Sequence, residues 1–147
     1  LLKEGADPDA WDRDGMPALL QAAKGGHLAV LKALRRHGAK LDATTRGGGT
    51  ALMFASQNGK ADCAEALLEW GADKDAATSS GDTALHLAAW HGRLECARLL
   101  VRARADRAKK DKQGKTPLGL AQDPPRGFRV DKAKEVIKAF TAHGILK

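Results

Sequence analysis

Residues 81–92 read Gly81-Asp82-Thr83-Ala84-Leu85-His86-Leu87-Ala88-Ala89-Trp90-His91-Gly92. Leucine and alanine recur here at three-residue spacing, which gives a short helix one apolar face. The spacing predicts a helix over Ala84–His91, broken by Gly92. Gly81 supplies the positive φ of the turn before it. Thr78, three residues earlier, is a short polar side chain able to bond the backbone and start that turn.

The same columns return every 33 residues. Gly15, Gly48, Gly81 and Gly114 share one, Leu19, Leu52, Leu85 and Leu118 a second, and Ala22, Ala55, Ala88 and Ala121 a third. Gly26, Gly59 and Gly92 follow, as do Gly5, Gly38 and Gly71, each with alanine after it. Asp12, Thr45, Thr78 and Asp111 occupy the turn-starting position. Equivalent first helices are expected over Ala18–Lys24 and Ala51–Asn58. A second helix in each unit carries apolar residues at helical spacing, such as Val30, Leu31 and Leu34, or Leu94, Ala97, Leu100 and Val101. It ends at Gly38 or Gly71, placed as a C′ glycine. One such unit cannot bury its apolar faces alone, so the units must stack into a solenoid.

Composition agrees. The chain has 147 residues, 43% hydrophobic and 29% charged, which suits one folded domain. Aromatic residues are 4%, with no tyrosine, so alanine and leucine must do most of the packing. No apolar run approaches the roughly 18 residues of a membrane span. Two cysteines are too few for a disulfide scaffold and suit a reducing, intracellular compartment: cytoplasm, nucleus or organelle interior.

The pattern resembles the ankyrin repeat. Thr83-Ala84-Leu85-His86 followed by Ala88-Ala89 is similar to that family's Thr-Pro-Leu-His-x-Ala-Ala box, and Thr116-Pro117-Leu118 repeats its start. Gly71-Ala72-Asp73-Lys74-Asp75-Ala76 is similar to its Gly-Ala-Asp-x-Asn-Ala closing segment. The resemblance implies an all-α repeat fold, a single solenoid of helix-turn-helix units joined by β-hairpin-like loops. Residues 1–10 are expected to be the tail of a preceding repeat. Repeats are expected at 11–43, 44–76 and 77–109, with a C-terminal capping repeat at 110–147.

Several residues depart from the family pattern. Pro17 replaces the box threonine, and Leu20, Met53 and Gly119 replace the box histidine. Only the third repeat keeps the Thr–His pair that ties adjacent turns in the family. Arg104 stands where the second helix should meet glycine, so either Arg104 takes the left-handed conformation or that helix ends differently. The last repeat carries seven extra residues at 123–129. Its two prolines must end the first helix at or before Asp123. Asp131 is expected to N-cap the second helix. Ala133, Val136, Ile137 and Phe140 are expected inward, and Lys132, Lys134, Glu135, Lys138 and Thr141 outward.

Catalytic, metal and cofactor chemistry find little support. Cys63 and Cys96 share the column of Val30 and are expected to be buried small hydrophobes. His86 and His27 sit in structural columns, while His37 and His143 fall near helix C-termini, where a cation is mildly favoured. None is spaced like a metal ligand set. Gly47-Gly48-Gly49 lacks the lysine and preceding strand of a phosphate loop, so it reads as a hairpin tip. No enzyme activity and no cofactor are expected.

In the family the hairpin tips and first helices form the concave contact side. The resemblance therefore implies partner-binding positions at Trp11, Arg13, Asp14, Met16 and Lys24, then Arg46, Gln57 and Asn58, then Ser79, Asp82, Trp90 and His91, then Lys112 and Lys115. Trp11, Trp70 and Trp90 all lie outside the repeating apolar columns, as interface anchors do. The net charge of +7 is uneven: residues 1–92 hold 10 Lys/Arg against 12 Asp/Glu, and residues 93–147 hold 15 against 6. Arg98, Arg102, Arg104, Arg107, Lys109 and Lys110 could meet an anionic partner. No aromatic residue is interleaved among them, which argues against nucleic acid. An acidic protein surface or anionic lipid headgroups would suit them better.

The expected function is a protein-interaction module that binds a protein partner on its concave face. The alternative is a peripheral subunit of a larger assembly, docked through the basic third and fourth repeats and the insertion.

Overall fold

The computed structural model describes residues 7–123 and 130–142. Gly5, residues 124–129 of the insertion, His143 and Gly144 lie outside the described residues, as do the side chains of Ala133 and Thr141.

The helices come in pairs: α1 (Ala18–Gly25) with α2 (Leu28–Arg36), α3 (Ala51–Gln57) with α4 (Ala61–Glu69), α5 (Ala84–Trp90) with α6 (Leu94–Arg102), and α7 (Pro117–Gln122) with α8 (Val130–Ala142). The short helices α1, α3, α5 and α7 pack side by side in one row, and the longer ones form a second row behind them. Among the described residues there is no strand, only an isolated antiparallel bridge between Trp11 and Pro17.

The repeating columns become a continuous core. Leu19, Leu52 and Leu85 are buried on the first helices, and Leu34, Leu67 and Leu100 on the second. Alanines between them let the rows approach closely. The expected turns form as well. Asp12 Oδ1 accepts from the Asp14 and Met16 amides, Thr78 Oγ1 from Ser80 and Asp82, and Asp111 Oδ1 from Gln113 and Lys115. Thr45 Oγ1 accepts from Gly49. Neighbouring hairpins are then joined by backbone bonds, Ser79 N–H to Gly47 O at 2.9 Å and Lys112 N–H to Ser80 O at 3.0 Å. A Cβ on Gly48 would lie 3.3 Å from Thr78 Cα, and one on Gly81 would lie 3.0 Å from Lys112 N. The glycine-rich tip is therefore a place where two hairpins touch.

Threonine caps the first helices. The hydroxyls of Thr50, Thr83 and Thr116 accept from the amides of Met53, His86 and Gly119. In α5 the His86 ring replies: Nδ1 accepts from the Thr83 amide at 3.1 Å, leaving Nε2 to donate to Lys115 O at 2.9 Å in the next unit. In α3, Met53 Sδ accepts the Thr50 amide at 3.4 Å instead. Leu20 holds the same column by packing alone and is fully buried.

Arg104 resolves the open question at the end of α6. It adopts φ +63°, the only non-glycine residue with positive φ among those described. Its amide bonds Val101 O and the next amide bonds Leu100 O, the pattern that Gly38 and Gly71 make after α2 and α4. The arginine thus occupies a glycine's place at a cost of about 1 kcal/mol.

Two expectations are corrected. Val30 shares a column with the buried Cys63 and Cys96 but is 48% exposed. Cys96 is covered because its Sγ meets Ala55 O of the preceding helix pair at 3.8 Å, and no described helix precedes α1 to cover Val30 in the same way. Asp131 does not cap α8; the helix already begins at Val130, which places Asp131 in its first turn, where a carboxylate suits the macrodipole. Val136 and Phe140 are buried as expected and Ile137 is half-buried, while Ala139 joins the buried face. Lys132, Lys134, Glu135 and Lys138 are exposed.

Candidate functional site

Among the described residues, hollows open along the hairpins and first helices. One, of about 500 Å³, lies between the third and fourth helix pairs. It brings together Ser79, Asp82, Trp90, His91 and Lys112, all expected contact positions, with Asp111 and the edge of His86. The other, of about 650 Å³ and more open, gathers Asp14, Met16, Lys24 and Asn58 with Lys60 and Arg93. Trp11 joins neither hollow. It is 64% exposed and leans on its own hairpin, 3.8 Å from where a Cβ on Gly15 would stand. Arg13 and Arg46 are exposed on the tips.

Some expected contact residues have structural work. The Gln57 carbonyl accepts from Arg93 Nε at 3.0 Å. Lys115 is half-buried, pairs with Asp123 at 3.1 Å, and offers its carbonyl to His86. Trp70 is half-buried against the core, with the Arg35 guanidinium 4.9 Å above its ring. That cation–π contact links the end of α4 to α2.

The electrostatics of the smaller hollow follow from burial. Asp82 is held above the usual carboxylate range by burial, opposed by the His86 ring and reinforced by the Asp111 carboxylate. His91 is held below the ordinary imidazole range by burial and by Arg93. On the second helices, burial pushes the Cys63 thiol up and the Cys96 thiol up to about 11. Both are free, buried thiols and poor nucleophiles. Among the described residues no group of His, Cys, Asp or Glu is arranged to hold a metal, and no helix is long and apolar enough to cross a membrane.

The basic stretch divides. Arg98 pairs with Glu95 at 2.8 Å, and Lys109 Nζ donates to Asp75 O at 2.9 Å. Arg102, Arg104, Arg107 and Lys110 are exposed.

One structural column escapes a reading based on apolar residues. Asp9, Asp42 and Asp75, again 33 apart, each accept a backbone N–H from 31 residues further on: Lys40, Asp73 and Asp106, at 2.7–2.9 Å. The signal was the recurrence of aspartate itself.

Stacked helix pairs tied by hairpins, with an exposed polar and aromatic side, define a helical repeat solenoid. The family model for ankyrin repeats, in three copies, matches residues 1–78, and the single ankyrin-repeat model matches residues 80–112. The chain belongs to the ankyrin repeat family, whose members generally mediate protein–protein interaction. A search of curated proteins gave no match.

Proposed function

We propose that this chain binds a protein partner through its hairpin tips and first helices, with Trp11 and Trp90 as anchors. One observation carries the reading: on this side the two most exposed large apolar side chains are Trp11 at 64% and Trp90 at 37%. Tryptophan is costly to leave in water and dominates many interfaces. The supporting polar positions are those lining the two hollows, together with Arg13 and Arg46. Binding would be close to rigid-body over the last three hairpins, because backbone bonds between them already fix that part of the surface. Alanine at both Trp11 and Trp90 should weaken partner binding at least ~30-fold, two hot spots of about 1 kcal/mol or more each, with unfolding unchanged. Unaltered affinity in that variant would refute the assignment of the face. The two buried free thiols suit a reducing compartment inside a cell.

A second reading rests on the exposed Arg102, Arg104, Arg107 and Lys110. These would dock the chain, as a peripheral subunit, on an acidic protein surface or anionic headgroups. Such association should weaken steeply with salt. Affinity that ignores both salt and Lys/Arg→Glu changes at 107–110 would eliminate it.

A further inference from the structure

The hollow between the third and fourth helix pairs holds two carboxylates, Asp82 and Asp111, and the His86 ring offsets the charge of Asp82 only in part. Asp82 is half-buried in its lining, and its carboxylate makes no hydrogen bond or ion pair among the described residues. Its only use in the hairpin is through the backbone: its amide donates to Thr78 Oγ1 and its carbonyl accepts from the Thr78 amide. Asp111 faces the same space and adds a second negative charge close enough to disfavour ionisation of Asp82. A carboxylate left half-desolvated beside another is unfavourable unless a cation arrives.

The internal cations do not serve. Burial and Arg93 both disfavour the charged form of His91. His86 spends Nδ1 on the Thr83 amide and Nε2 on Lys115 O. Lys115 is drawn away to Asp123. Lys112 lies on the exposed hairpin tip and forms no ion pair with either aspartate. The hollow straddles the two halves of the chain: Asp82 and Trp90 come from residues 1–92, Asp111 and Lys112 from the basic residues 93–147.

The Trp90 ring lines the hollow, 37% exposed, and supplies an aromatic surface beside the carboxylates. An aromatic face next to carboxylates attracts an organic cation twice, by charge and by the ring quadrupole. A bare metal ion is the poorer fit. Two carboxylates fall short of the six or so oxygens that calcium or magnesium requires, and no larger acidic group is assembled among the described residues.

We propose that this hollow receives an arginine or lysine side chain from the partner, with Asp82 and Asp111 pairing its charge and Trp90 covering its stem. The proposal rests on the reading of the hairpin side as the binding face and adds the chemistry of the partner: a peptide segment with a basic residue at its centre.

The test uses the whole chain and the peptide acetyl-Ala-Ala-Arg-Ala-Ala-amide, with lysine, norleucine and glutamate versions for comparison. Titration is followed by the amide resonances and the Trp90 indole resonance. Saturable shifts centred on Asp82, Trp90 and His91 are expected for arginine and lysine. Asp82→Asn should weaken them roughly fivefold, the scale of one partly screened charge pair. Salt should weaken them on the unaltered chain as well, which keeps the test open if the variant folds poorly. Equal binding of norleucine, no saturable shift at the hollow, or arginine binding that ignores both Asp82→Asn and salt would overturn the proposal. The two readings separate on the native partner. If that partner is lost by the Trp11/Trp90 double alanine variant but held by Asp82→Asn, the binding face stands and the basic side chain falls.

Discussion

The Nε2 nitrogen of His86 lies 2.9 Å from the carbonyl oxygen of Lys115, so a buried ring on α5 fastens the hairpin of the next helix pair. The other ring nitrogen is held by Thr83, which makes one side chain both a helix cap and a tie between units. The neighbouring units lack this tie, because Leu20 and Met53 stand in its place.

Replacing His86 should therefore be graded. His86→Ala leaves a cavity and orphans the Thr83 amide and Lys115 carbonyl, for a loss of about 3 kcal/mol. His86→Met keeps a sulfur acceptor for the cap, as Met53 does, and should cost about 1 kcal/mol. Urea unfolding of the two variants checks the order; equal losses would contradict the cap, because both variants give up the bond to Lys115 O.

Arg104 holds φ +63° where glycine would be unstrained. Arg104→Gly should raise stability by about 1 kcal/mol, while the converse change Gly71→Ala, at φ +88°, should lower it by a similar amount. Thermal melts of both would show the opposite signs. A destabilised Arg104→Gly variant would mean the side chain contributes more than its backbone costs.

Ser56 is fully buried in α3, and its hydroxyl has no hydrogen-bond partner among the described residues. Alanine occupies the equivalent positions, Ala23 and Ala89, in the neighbouring units. Ser56→Ala should stabilise the chain by about 1 kcal/mol, since it removes an unsatisfied polar group without changing the packing. Denaturant midpoints decide; a loss of stability would require a partner for that hydroxyl.

Acid should act on His91. Its folded form sits below the ordinary imidazole value of 6.5, so the unfolded chain takes up the proton first. The stability this site contributes is complete above about pH 6.5 and declines as pH falls below it. His91→Asn should flatten that part of the pH–stability profile relative to the unaltered chain. An unchanged slope between pH 7 and pH 5 would count against a desolvated ring.

Most of the fold was legible because repetition multiplies weak signals. A single Gly81 or Leu85 says little, but four glycines and four leucines at one interval fix where each turn and helix lies. Legibility failed where a residue's surroundings, rather than its type, decided the outcome. Val30 reads as core in its column, and only the described helices show that nothing covers it. Arg104 left two conformations open, since sequence names the residue but not its φ. The binding positions read column by column from the sequence; which of them meet depends on how successive hairpins stack. The structure gathers Ser79, Asp82, Trp90, His91 and Lys112 around one hollow while Lys115 turns to Asp123. The unpaired state of Asp82 is a fact about neighbours and has no signature in the chain alone.

The aspartate column that links successive units stops at Asp75, because the next member is Ala108, which has no acceptor to offer. The joint between the second and third helix pairs is latched on both edges, by Asp75 behind and by the Ser79–Gly47 bond in front. Among the described residues the final joint shows front fastenings, Lys112 to Ser80 and Lys115 to His86, and no aspartate latch behind them. Pulled by its ends, the stack should behave like a row of tiles with one back nail missing: the last tile swings outward about its hairpin at low force, before any other tile moves. Single-molecule stretching would register that swing as a small first step, and Asp75→Ala, by removing the latch behind the preceding joint, should lower the force at which that joint opens.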